Sequence, residues 1–127
     1  MDRLNEMFDL QHKLQERLGT WSKIVDMSKP MTEREALRQQ FTNQMILALV
    51  EEAVEIMRET PYKNPLFVPF GWKKTQGYNR EALLGEIVDM WHFMMNICLA
   101  HGFTAEDFYK CYCKKNNINH ERQDNGY

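Results

Sequence analysis

The sequence predicts an all-α fold: a helical bundle of about four main helices in a single domain, residues 1–127, assembled as a homodimer. Three observations carry this expectation. Apolar residues return at helical spacing in separate segments, capping and stop residues frame those segments, and several helices add extra apolar positions to their one apolar face. With 127 residues, 43% of them hydrophobic, the chain is long enough to bury roughly two thirds of its unfolded surface. So much apolar surface on so few helices favours pairing between copies.

The first helix is expected over residues 4–18, where Leu4, Phe8, Leu14 and Leu18 recur near helical spacing and Gly19 supplies a stop. Residues 20–31 read as a connector ending at Pro30. Thr32-Glu33-Arg34-Glu35 fits a capping box and predicts the start of a second helix, which runs through Phe41, Met45, Leu49, Glu52 and Ile56 to Thr60, before Pro61. Residues 61–78 hold Pro61, Pro65, Pro69, Gly71 and Gly77, with the aromatic residues Tyr62, Phe67, Phe70 and Trp72 among them. That aromatic content predicts an ordered loop that packs on or covers something.

A third helix fits residues 79–101, opened by Asn79 and closed by Gly102, with Leu83, Ile87, Met90, Met94, Ile97 and Cys98 on its apolar surface. Met90, Trp91, Met94 and Met95 read as core or dimer seam. Thr104-Ala105-Glu106-Asp107 opens a fourth helix, with Phe108, Cys111 and Tyr112 facing inward and a polar tail from about Asn117.

Composition narrows the function classes. A net charge of -2 with both signs mixed along the chain gives no basic field for a nucleic-acid polymer. No apolar run approaches the roughly 20 residues that span a bilayer, and Asp2, Arg3 and Glu6 break any signal-peptide core. The three cysteines form neither a zinc set nor a redox pair. A cytoplasmic protein without a membrane is expected.

The chemistry resides in the acids. The second helix reads Glu51-Glu52-Ala53-Val54-Glu55 and the third Glu86-Ile87-Val88-Asp89, so each offers a pair of carboxylates three residues apart on one face. In a chain with 18 acidic residues such spacing can arise by accident on a solvated surface. Here Leu49, Ile56, Leu83, Met90, Phe93 and Met94 surround the acids, which directs them inward or along a seam. Carboxylates brought together at low dielectric repel and take up protons unless a cation neutralises them. All-oxygen ligation suits Mg²⁺, with Mn²⁺ as substitute. A di-iron bundle would want Glu-x-x-His on two helices, and the second helix has no histidine.

Lys115, Asn119 and Arg122 fall on one face of the last helix and form a clamp suited to phosphate oxygens. Asn96, a polar residue on a strongly apolar helix, is a further candidate for contact with a nucleotide.

As an ordered set, Glu51-Glu52-x-x-Glu55, Glu86-x-x-Asp89 and Lys115-Asn116-x-x-Asn119-x-x-Arg122-Gln123-x-x-Gly126-Tyr127 resembles the dimeric dUTPase family, within the all-alpha NTP pyrophosphatase superfamily. The likeness covers roughly residues 40–127, and the ending Glu121-Arg122-Gln123-Asp124-Asn125-Gly126-Tyr127 looks most like the phage dCTPase/dUTPase proteins. It implies a helical homodimer that cleaves a deoxynucleoside triphosphate between its α and β phosphates. Glu52, Glu55, Glu86 and Asp89 would hold Mg²⁺, and Glu52 or Glu55 would orient or deprotonate the attacking water. Lys115, Asn119 and Arg122 would contact the triphosphate and deoxyribose. Gln11 and Gln15, and Trp72 with Lys73 and Lys74, would lie toward the base. dUTP is the substrate this implies first; dCTP or broader dNTP cleavage by the same site is the alternative, and a non-catalytic oligomerisation or nucleotide-binding module is the alternative of another class.

Overall fold

The computed structural model describes residues 2–24, 29–64, 66, 70 and 76–126. Among these residues there are five helices and no strand: α1 (Arg3–Arg17), α2 (Thr20–Ile24), α3 (Met31–Arg58), α4 (Arg80–Ala100) and α5 (Ala105–Asp124). The all-α expectation holds, with four long helices and one short one. The chain divides into two compact units, Met1–Arg38 with Cys98–Tyr127, and Gln39–Ile97.

In the first unit, Asp2 caps α1 by accepting the backbone N–H of Asn5 at 2.9 Å. The helix stops where expected: Gly19 takes a left-handed φ of 76°, a conformation cheap only for glycine. The chain then re-enters a helix at once, so the expected connector contains α2. Trp21 explains part of this, because its Nε1 donates to the His12 carbonyl at 3.0 Å and its ring stacks on His12 at 5.5 Å.

The buried side of α1 differs from the apolar face read in the sequence. Phe8, Gln11 and Gln15 are buried, whereas Leu14 is 44% and Leu18 63% exposed. Phe8 packs toward Phe108 of α5 with ring centroids 6.2 Å apart, and Ile24, Ala100 and Ala105 are also buried. The remaining inward positions expected on α5 are corrected: Cys111 is exposed and Tyr112 is 61% exposed. The arginine Nε of Arg38 donates to the Ala100 carbonyl at 2.8 Å, closing the unit between distant parts of the chain.

At the end of α4, Gly102 is left-handed and Phe103 N donates to the Cys98 carbonyl at 2.9 Å, which satisfies an otherwise open helix end. Thr104 and Asp107 then form a reciprocal capping box, at 3.1 Å and 2.9 Å. The backbone and hydroxyl of Thr104 hold the Asp107 carboxyl below its usual range. From this strong start α5 continues through Asp124, so the expected polar stretch from about Asn117 is helical and carries Asn119 and Arg122.

The second unit is built from α3 and α4 up to Ile97. The start of α3 corrects the expected cap: Met31 is already helical, and the Pro30 carbonyl accepts from Glu33 and Arg34. At the other end α3 stops at Arg58, and the Thr60 hydroxyl donates to the Met57 carbonyl at 2.6 Å. The Gln76 amide donates to the carbonyls of Arg58 and Thr60, and Asn79 N reaches the Glu59 carbonyl, so the ends of the loop are tied together. Asn79 opens α4 as expected, its Oδ1 accepting from Ala82 N at 3.0 Å. Phe67 and Trp72, with Lys73 and Lys74, lie outside the described residues.

Within α4, Met95 is buried, Met90 and Trp91 are half-buried, and Met94 is 38% exposed. By length and composition α4 could cross a membrane, contrary to the expectation that no apolar segment is long enough. It carries Glu86 and Asp89 inside that stretch, and placing carboxylates in hydrocarbon is costly.

Candidate active site

The second unit brings three of the four expected carboxylates together. Glu52 of α3 meets Glu86 and Asp89 of α4, with one ligand atom from each residue lying within 4.8 Å of the others. Helical spacing puts Glu86 and Asp89 one turn apart on the same side of α4. Glu52 and Glu86 are half-buried, Asp89 is exposed, and Glu51 points to solvent, as adjacent positions on a helix diverge by about 100°.

The electrostatics of this cluster are unfavourable without a cation. The Glu52 carboxyl is pushed up from 4.5 to about 7, first by burial, then by its hydrogen bond with Glu86, then by the charges of Glu55, Glu86 and Asp89. Glu55 stands one turn further along α3, outside the close trio but near enough for its charge to act on Glu52. The Oε2 atoms of Glu52 and Glu86 are buried and meet no donor among the described residues. A shared proton or a positive ion satisfies such a pair.

Asn96 is buried on the same helix, only 2% exposed, and its Nδ2 approaches the Met45 sulfur at 3.6 Å. His92 is half-buried.

The other candidates belong to the first unit. Lys115, Asn119 and Arg122 lie on α5 and are exposed. Asn119 also lines a shallow depression of about 130 Å³ with Asn116, His120 and Gln123. Gln11 and Gln15 are 5% and 8% exposed on α1, and Gln15 Oε1 accepts the Thr20 hydroxyl at 2.6 Å.

The protein-family model described as dUTPase matches residues 3–101 and 94–127, which together take in nearly the whole chain. The chain belongs to the dUTPase family.

Among curated proteins, the dCTP pyrophosphatase of Enterobacteria phage T4 is 50% identical over 42 residues, 33% of this chain and 25% of that protein. The dCTP pyrophosphatase of Enterobacteria phage LZ5 is 43% identical over 58 residues, 43% of this chain and 34% of that protein. The matched stretches thus span a quarter to a third of the length of these relatives. No solved structure matches the chain.

In this dUTPase-family chain the donor set fits a hard divalent cation. Its three close ligands are all carboxylates, and two of them present buried oxygens with no donor. Sequence reasoning found these residues because their spacing and apolar neighbours mark them. It did not anticipate the contact of Thr20 with Gln15, because Thr20 reads as part of a connector.

Proposed function

We propose that this chain is a Mg²⁺-dependent dUTP diphosphatase that cleaves dUTP between its α and β phosphates, giving dUMP and pyrophosphate. The observation that carries the reading is the meeting of Glu52, Glu86 and Asp89 within 4.8 Å, with donor-less buried oxygens on two of them. Family membership supports the reaction class.

In this reading Glu52, Glu55, Glu86 and Asp89 hold the metal. Mg²⁺ bound there makes water a better nucleophile and offsets charge on the phosphates. Glu52 or Glu55 orients or deprotonates the attacking water. Lys115, Asn119 and Arg122 bind the triphosphate and deoxyribose, with Arg122 offering a planar fork and Lys115 a point charge. Gln11, Gln15, Asn96 and Trp72 serve the nucleoside end.

Homodimer formation is part of the proposal. Leu47, Val50, Val54 and Met57 form an apolar stripe at coiled-coil spacing on α3, and Leu47 is 70% and Val50 60% exposed. Leu84, Ile87 and Val88 continue this exposed apolar character on α4. The three free thiols, Cys98, Cys111 and Cys113, favour a reducing cytoplasm.

A second reading, dCTP cleavage by the same site, is favoured by the names of the two phage relatives. Product analysis with each dNTP, including dUTP, in Mg²⁺ or in EDTA tests both. Metal-dependent release of pyrophosphate and a monophosphate from one substrate supports the reaction and identifies the base. No turnover of any nucleotide would favour a non-catalytic helical binding module.

A further inference from the structure

One side of α1 is apolar and open to solvent. The helix buries Phe8, Gln11 and Gln15, and on another side it presents Met7, Leu10, Leu14 and the C-capping Leu18, which are 38%, 60%, 44% and 63% exposed. At about 100° per residue these four fall within an arc of about 80°. A single exposed leucine needs no explanation, but four apolar residues on one stripe of a 15-residue helix form a continuous patch.

The charges along one edge of this stripe are ordered. Asp2 and Glu6 stand in its first half and Lys13 and Arg17 in its second, all four exposed and within about 60° of one another around the helix. Acids early and bases late suit the helix dipole, which accounts for the signs but not for the leucines beside them. The ion pairs among the described residues join Lys29 to Glu33 and Lys110 to Glu106, so Glu6, Lys13 and Arg17 are not committed to one.

A helix with this pattern matches its own copy run in the opposite direction. Two-fold antiparallel pairing sets Glu6 against Lys13 of a second copy and Lys13 against Glu6 of that copy, and pairs Asp2 with Arg17 in the same reciprocal way. Leu10, the middle residue of Arg3–Arg17, then falls beside the axis, and Met7 meets Leu14. Arg3 falls opposite Leu18, which its aliphatic stem can cover. A parallel pair would leave the edge charges without opposite partners.

We propose that the exposed stripe of α1 is a contact surface for a second copy of this chain, formed by antiparallel pairing of the two α1 helices. The contact is distinct from the apolar stripe of α3 and independent of the catalytic reading. With 15 residues α1 is about 22 Å long, and two such helices bury less than a standard interface. The pairing is therefore weak by itself, with association at about hundreds of micromolar.

Sedimentation equilibrium of the full chain carrying Leu47→Glu, which disables the α3 stripe, isolates the contact. Between about 10 μM and about 1 mM this chain should pass from monomer to dimer. Adding Leu10→Glu should weaken that association by about tenfold or more, because it places two carboxylates beside the axis. Glu6→Lys or Lys13→Glu alone turns both reciprocal pairs from attractive to repulsive and should weaken it by about fivefold to tenfold. An equimolar mixture of these two single variants should regain the association, since each then supplies the sign the other lacks. Glu6 and Lys13 are about two turns apart on α1, so no contact within one chain can produce this rescue.

Rescue in the mixture supports the pairing even if Leu10→Glu fails to fold. Weakening by Leu10→Glu with both charge variants silent would overturn the antiparallel pairing and assign the stripe to a different partner. A mixture no better than its components, or a chain that stays monomeric throughout the concentration range, would overturn it as well.

Discussion

Glu52 Oε2 on α3 and Glu86 Oε2 on α4 are both buried, and neither meets a hydrogen-bond donor among the described residues. Two acids held this way are an energetic liability in the metal-free protein, one that a bound cation would offset.

Replacing either acid should therefore separate stability from activity. Glu52→Gln introduces an amide donor beside Glu86 and removes one charge from the cluster, so the metal-free protein should melt at a higher temperature than the parent. Turnover should fall by about 10²–10⁴-fold. Thermal melting in EDTA together with pyrophosphate release checks both, and full activity would remove Glu52 from the mechanism. Asp89→Asn should likewise abolish turnover while leaving helicity, read by circular dichroism, intact.

The pH dependence follows from the direction of the Glu52 shift. A carboxyl raised from 4.5 to about 7 in the folded state binds its proton more tightly there than in the unfolded chain. Its contribution to stability is fully present below about 4.5 and is lost as pH rises through about 7. The metal-free melting temperature should decline across that window, and Mg²⁺ should relieve the decline at the alkaline end. Below about 7, protons compete with the metal, so Mg²⁺ affinity should fall with pH. Melting curves over pH with and without Mg²⁺ give the answer; identical curves would argue against a metal at this cluster.

Arg122→Ala should raise KM for dUTP and dCTP alike by roughly tenfold or more, because a charged hydrogen bond to phosphate does not depend on the base. Steady-state kinetics with both substrates is the measurement. Unchanged constants would withdraw the clamp on α5.

Thr104→Ala removes half of the capping box that starts α5 and should cost about 1 kcal/mol of stability. Urea unfolding would show a lower midpoint with an unchanged slope. An unaltered midpoint would mean that the α4–α5 turn is held by the Gly102 and Phe103 bonds alone.

Leu47→Glu should shift the protein from dimer to monomer in analytical ultracentrifugation, since a charge at a 70% exposed apolar position is harmless in solvent and costly in a helix seam. A monomeric parent protein at micromolar concentration would refute the homodimer.

The sequence by itself determined the four long helices and the acids. Periodicity and the cap and stop signals of Gly19, Asn79, Gly102 and Thr104 are local, acting within a turn or two of chain, and the pairs within Glu51–Glu55 and Glu86–Asp89 are fixed by helical pitch alone. Tertiary structure decided what depends on contacts between segments far apart or on direction in space. It set which acids meet across α3 and α4, with Glu55 outside the close trio. It also decided that α1 buries Gln11 and Gln15 in place of Leu14 and Leu18, and that Thr20 comes back to grip Gln15. Helical spacing names the residues that share a face, whereas the partner that covers the face decides which side is inside.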